Sequence, residues 1–357
     1  MNMSFNPQTM TIRLMDRADA EELARIDRFV SEHTGGTAFH RPAWLLSSSK
    51  ACGHEWRYML AEDCDGHLQA ILPFTLIHSS LFGRALVSSG FAVGGGILSH
   101  NDLATQMLGD AIWKFAEAYS FPTVELRGGP MPCGEWQNEK GFYAGFVTSL
   151  ADDDEAQLLA IPRKQRAEVR KGLKNDLKVR VGVTAEDRAY HYRIYAESVR
   201  NLGTPVFPKA LFDEVSNAFG PDADILTILS DGKPVASVLS LYHGETVMPY
   251  WGGGNHDARR LRANDVMYYA LMNHARRRGC KQFDFGRSKV GTGAYAFKKN
   301  WGFEPEPLSY AIRTADGAAA RDVNPMSPKY RLQVALWQRL PLSVANWLGP
   351  AIAKGLG

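Results

Sequence analysis

Two stretches of the chain concentrate side chains able to hold or polarise a charged substrate. Between Ile161 and Lys174, Arg163, Arg166, Arg170 and Lys174 recur at three- and four-residue intervals, opposite a thin apolar line of Ile161, Val169, Leu173 and Leu177. A helix here presents one basic face. Such a face suits the phosphates of tRNA or the diphosphate of a nucleotide- or lipid-linked molecule, and a solvated helix surface is the other reading. The second stretch runs from Phe283 to Leu308 and sets Arg287, Tyr295, Phe297, Lys298 and Lys299 among glycines and aromatics. Other common solutions are missing from the sequence. No His is followed four residues later by Asp, and no G-x-S-x-G elbow, P-loop or H-E-x-x-H zinc motif occurs. The four cysteines, Cys52, Cys64, Cys133 and Cys280, are scattered without ligand spacing and read as free thiols. Neither a metal nor a redox cofactor is expected.

These residues sit in a chain of 357 residues, more than one core usually organises, so two domains are expected. A net charge of +3 argues against wholesale nucleic-acid binding and leaves local basic patches as the relevant feature. Met1 to Leu14 shows no signal-peptide pattern, and no apolar run is long enough to span a bilayer, so a cytoplasmic protein is expected.

The sequence repeats itself weakly. Trp56–Glu62, the turn Asp65-Gly66 and Leu68–Phe74 have the pattern of a hairpin, as do Ile225–Leu229, Asp231-Gly232 and Pro234–Leu241. Each is followed by an extended stretch ending in glycines, Gly94–Gly96 and Gly252–Gly254. Each half then has a helix. The first opens at Asn101-Asp102 with Leu103, Met107, Leu108, Ala111, Ile112 and Phe115 facing a core; the second opens at Asn264-Asp265, capped by Asn264, and ends at Arg276–Gly279. Short strands, Thr123–Gly128 and Gln282–Arg287, close both halves. Hairpin, strand, helix, strand is the core order of a GNAT acyltransferase domain, and its recurrence after about 160 residues predicts an α+β protein of two tandem GNAT-like domains. The acidic stretch Ala151–Glu155 serves as the link. The predicted domains are 1–154, 155–315 and a tail, 316–357, opened by Pro325 and Pro328 and carrying an amphipathic helix.

A GNAT enzyme that uses acetyl-CoA has a glycine loop before its central helix, where backbone N–H groups receive the pyrophosphate. Here that place reads Arg259-Arg260-Leu261-Arg262-Ala263-Asn264, with Arg262 at the first glycine position. This disfavours acetyl-CoA and leaves the arginines to another phosphate or to a solvated turn.

The stretch FDFGRS…GTGAYAFKKNWGFEPEPL resembles the corresponding segment of FemAB-like proteins, and IPRKQRAEVRKGLK resembles their second-domain entry helix. With the tandem order, the resemblance covers the chain up to about Arg313, and it points in particular to the FemAB branch associated with exosortase/PEP-CTERM systems. It implies transfer of an acyl or aminoacyl group, from aminoacyl-tRNA or acyl-CoA, to an amine of a peptidoglycan, exopolysaccharide or lipid-linked envelope precursor. It also implies that Lys298 steadies the developing oxyanion, with Arg287 and Tyr295 as further catalytic candidates. Phe297, Lys299, Arg200, Arg163, Arg166, Arg170 and Arg262 are the candidates for substrate binding. Trp301, Phe303 and His40 read as packing or capping residues. The rival readings are an acyl-CoA-dependent N-acyltransferase and a non-catalytic protein that binds an envelope precursor. A monomer is expected, with residues 330–357 either packed on the domains or touching the inner membrane.

Overall fold

The computed structural model describes residues 10–318 and 331–357, which form two compact units. Residues 10–140, 309–318 and 354–357 build the first; 141–308 and 331–353 build the second.

The first unit opens with β1 (Thr11–Met15), α1 (Ala20–Glu32) and α2 (Pro42–Cys52). The hairpin follows as β2 (Glu55–Glu62) and β3 (Leu68–Ser79), and then come β4 (Gly83–Ser88), β5 (Leu98–Ser99), α3 (Asp102–Ala118) and β6 (Thr123–Arg127). Strands β1 to β4 run antiparallel, and β6 joins β4 in parallel. Alternation along β2 sorts the layers: Met59 and Ala61 join the core beneath α3, whereas Tyr58 and Leu60 join Ile26, Val30 and Leu45 of α1 and α2. Trp44 is wholly buried, its Nε1 donating to the Gly90 carbonyl at 3.2 Å. His40 closes a capping box with Thr37, the capping role read from the sequence.

Asn101 caps α3 by accepting from the Ala104 N–H at 2.9 Å. Leu108 and Ile112 are buried as expected, with Ala111 and Phe115 packed against the core; Ala104 and Ala116 complete the buried face, and Leu103 is exposed. The cap fixes this phase. Asn101→Ala is expected to cost about 1 kcal/mol and lower the urea midpoint without changing the far-UV spectrum.

The chain then leaves the first unit through β7 (Gln137–Gly145) and enters the second with β8 (Val147–Ser149), α4 (Asp154–Ala160), α5 (Arg163–Gly172), β9 (Leu177–Gly182), α6 (Ala185–Asn201) and α7 (Lys209–Phe219). The second hairpin is β10 (Ala223–Ser230) with β11 (Lys233–His243), and β12 (Thr246–Gly254), α8 (His256–Leu261), α9 (Ala263–Arg277), β13 (Gln282–Asp284), β14 (Ser288–Lys289) and α10 (Gly293–Asn300) follow. The sheet runs β8-β13-β12-β11-β10-β9, with only β12 and β13 parallel. Ser237 of β11 meets His191 of α6, while Val238 belongs to the core with Val266 and Met267 of α9, so α6 and α9 cover opposite faces. Strands covered on both sides are largely apolar, as Ile225, Leu226 and Ile228 show, and the buried Thr227 hydroxyl is paired with Ser237.

β15 (Glu306–Thr314) carries the chain back and pairs Tyr310–Thr314 with β6 of the first unit. Two helices, α11 (Arg331–Trp337) and α12 (Leu342–Ala353), complete the second. The units therefore change over at 140/141 and 308/309, whereas the sequence suggests 154/155 and 315/316. The cause is strand membership: β8 pairs with β13, and Phe146 is fully buried in the second unit's core. Residues 331–353 also belong to the second unit, not to a separate tail. Pro325, Pro328 and the first nine residues lie outside the described residues.

Candidate functional site

Lys298 is the one buried lysine among the described residues. It lies in the last turn of α10, a helix capped by Thr292, and only 9 % of it is exposed. Its Nζ donates to the carbonyls of Gly286 and Arg287, each at 3.0 Å. The rings of Phe146 and Phe285 stand 5.3 and 5.5 Å from it, close enough for cation–π attraction. Two successive carbonyls can reach one ammonium because the chain turns sharply after β13. Gly286 takes φ +70°, a conformation that glycine adopts without a Cβ penalty, and its N–H is held by Asp284 Oδ1 at 2.8 Å. Burial pulls the ammonium down to about 8, opposed by nearby Asp284 and assisted by Arg287. Burial in turn raises the Asp284 carboxyl. An ammonium has three N–H groups, and with two given to carbonyls one remains for an oxygen that gains negative charge.

The other candidates from this stretch divide by exposure. Arg287 is half-buried with its guanidinium 4.4 Å from the Tyr143 ring centroid, and Tyr295 packs edge-on against Phe146 at 5.4 Å. Tyr295 shares Phe146 with Lys298, and Arg287 offers Lys298 its backbone carbonyl. Phe297 packs with Tyr268, Phe285 and Trp301. Lys299, adjacent in sequence, is exposed, which separates it from Lys298. Trp301 and Phe303 are core residues, as the sequence suggests.

Helix α5 turns its basic residues outward for a definite reason. It is anchored inward by Val169, by Gln165 donating to Asp265 Oδ1 at 2.6 Å, and by Gly172 lying against Val266 and the Arg262 carbonyl. The buried stripe is thus Gln165, Val169 and Gly172. Leu173, expected within it, is exposed because the helix ends at Gly172. Arg163, Arg166 and Arg170, with Ala167, Lys171 and Lys174, line an open cavity of about 290 Å³.

Arg262 and Arg200 are bound to the protein itself. Arg262 occupies the left-handed region at φ +56° and precedes α9 in the capping position expected of Asn264. It therefore keeps the backbone shape a glycine would take, while its Nε pairs with Glu168 at 2.8 Å. Arg200 donates to the Gln338 carbonyl at 3.2 Å and so braces the end of α11. Neither side chain is brought to Lys298 by a described contact. Sequence reasoning did not single out Asp284, Phe146 or Tyr143. Asp284 leaves a trace in the alternation Phe283-Asp284-Phe285, which turns a carboxylate away from two buried rings.

Residues 163–299 match the acetyltransferase (GNAT) domain family, a stretch that opens on α5 and closes one residue past Lys298. The chain is an acyl- or aminoacyltransferase. It is 22% identical to a lipid II:glycine glycyltransferase of Staphylococcus haemolyticus (strain JCSC1435), over 77% of this chain and 87% of that protein. Among solved structures, FemX superposes with a TM-score of 0.64 at 15% identity, over 83% of this chain and 96% of that one. A tandem GNAT protein from the clavulanic acid biosynthesis pathway gives 0.55 at 14% identity, over 87% and 100%. The transferase thus has the tandem GNAT fold that the repeat predicts.

Proposed function

We propose that this transferase moves an aminoacyl group from aminoacyl-tRNA to an amine of a cell-envelope precursor, a peptidoglycan, exopolysaccharide or lipid-linked molecule, on the cytoplasmic side. The amine nitrogen attacks the ester carbonyl carbon; the new C–N bond forms, the ester C–O bond breaks, and the ribose oxygen leaves with a proton. The observation that supports the reading is the buried Lys298 ammonium, held by two carbonyls with one N–H left for an oxyanion. The outward basic face of α5 supports a polyanionic donor. The glycyltransferase relative, named for transfer to lipid II, supports an envelope acceptor. Placement in the exosortase/PEP-CTERM branch rests on the resemblance of the Phe283–Leu308 stretch and belongs to the same proposal.

One observation favours a second reading, acyl-CoA-dependent transfer. Arg262, just before α9, takes the left-handed backbone conformation that glycine favours, although its side chain is tied to Glu168. Purified protein incubated with labelled aminoacyl-tRNA pools, and separately with labelled acyl-CoA, decides between them. Label from aminoacyl-tRNA should pass to envelope extract, and CoA should leave the melting temperature unchanged. Transfer from acyl-CoA alone would replace the first reading by the second, and transfer from neither would leave a binding protein.

A further inference from the structure

Helices α11 and α12 take no part in the site described above, and each leaves a stripe of large apolar side chains exposed. In α12 the fully buried residues are small: Ala345, Gly349 and Ala353, four apart, with Leu342 at the start of the stripe packed on Ala196, Val199 and Val206. A Cβ on Gly349 would lie 3.0 Å from the Val206 backbone nitrogen, so the helix approaches its neighbour too closely for a large side chain on that face. Other bulky residues therefore point out. Val344, Trp347 and Leu348 follow the three- and four-residue spacing of one stripe, and Trp347 is 78 % exposed. Helix α11 does so in part, since Trp337 is half-buried. Val334 packs on Gly203 at the end of α6, while Leu332 and Leu336, four apart, are 71 % and 57 % exposed. Leu202, beside Gly203, is also 71 % exposed. Single exposed leucines need no explanation, but two consecutive helices that each expose a stripe of large apolar side chains do.

Charge identifies what covers this face. From Asn324 to Gly357 the sequence contains Lys329, Arg331, Arg339 and Lys354 and no Asp or Glu. Arg339 stands exposed between the two helices. Trp and Leu flanked only by cations suit the interface of an anionic bilayer, where rings settle at headgroup depth and cations meet phosphate. A second copy of the same basic face would bring like charges together. We propose that the outer faces of α11 and α12 dock the protein on an anionic phospholipid surface, with Leu332, Leu336, Val344, Trp347 and Leu348 in the interface and Arg339 at the headgroups. No helix among the described residues is long and apolar enough to cross a membrane, so this contact is peripheral. The docking surface stands apart from the identity of donor and acceptor.

The test is co-sedimentation of the full chain with vesicles of phosphatidylcholine alone and of phosphatidylcholine mixed with phosphatidylglycerol. The protein should partition onto the mixed vesicles and only weakly onto the neutral ones. Leu336→Ala with Trp347→Ala should lower the partition coefficient by at least about tenfold. Arg339→Glu should lower it about tenfold on the mixed vesicles alone. Because all three residues are exposed, the urea midpoints of the variants should match the wild type. Absence of wild-type binding, or equal binding by the double variant, overturns the proposal. So does a concentration-dependent dimer that the double variant abolishes, since the face would then belong to a second copy.

Discussion

Lys298→Met is expected to lower transfer about 10²- to 10³-fold while the protein remains folded, with Lys299→Ala within about threefold of wild type. The contrast follows from burial. Lys298 holds two carbonyls and faces two rings, whereas Lys299 ends in solvent. Methionine retains most of the side-chain volume, so the Phe146 and Phe285 contacts survive and the loss reports the charge. A stability effect is separable by its pH dependence. Burial lowers Lys298 to about 8 from an ordinary 10.5. Between those values the unfolded chain holds a proton that the folded chain has released, so the stability of the wild type rises with pH across this window; below it the full cost of the buried cation is present. That cost is roughly 3 kcal/mol. Activity should move the other way, because the ammonium is the working form: the Lys298 contribution to transfer declines as pH rises through about 8. Opposite slopes for urea stability and for single-turnover transfer would check the assignment, and a Lys298→Met enzyme with wild-type turnover would overturn it.

The repeat was legible because hairpins write themselves locally. Asp231 and Gly232 both take positive φ, the two-residue turn that an Asp-Gly pair encodes, and β10 and β11 pair across it. Helix phase was less legible. Leu103 and Leu173 belong to plausible apolar stripes, yet one falls on the exposed side of a helix set by its cap and the other lies past a helix end. Asn264 has the residue type of a cap, but the turn from α8 places Arg262 there, in a conformation no local pattern of arginines announces. Unit boundaries were hidden for a different reason. Phe146–Leu150 reads correctly as a strand, but which sheet a strand joins depends on its partner, and Val147–Ser149 pairs with β13 far along the chain. At the site, the aromatic and lysine content of Phe283–Phe303 marked the place, while Asp284 and the carbonyl pair on Lys298 emerge only once Gly286 turns the chain.

Charge reversal of α5 should have the second large effect. Arg163→Glu with Arg170→Glu is expected to weaken aminoacyl-tRNA binding about 100-fold near 0.1 M salt and to reduce the slope of log affinity against log salt by about 2. Both arginines are exposed and neither anchors the helix, which is held by Gln165, Val169, Gly172 and the pairing of Glu168 with Arg262. Folding should therefore survive, and the loss should vanish at high salt, where the counterion-release contribution is spent. Arg262→Ala provides the contrast. Its guanidinium serves Glu168 and its backbone serves the turn, so its removal should lower stability and leave the salt slope unchanged. An unchanged affinity and slope in the double variant would make α5 a solvated surface and remove the electrostatic support for a tRNA donor. A lost slope with CoA-independent transfer intact on a minimal aminoacyl donor would instead divide the protein's work cleanly, with α5 holding the polyanion and Lys298 serving the carbonyl.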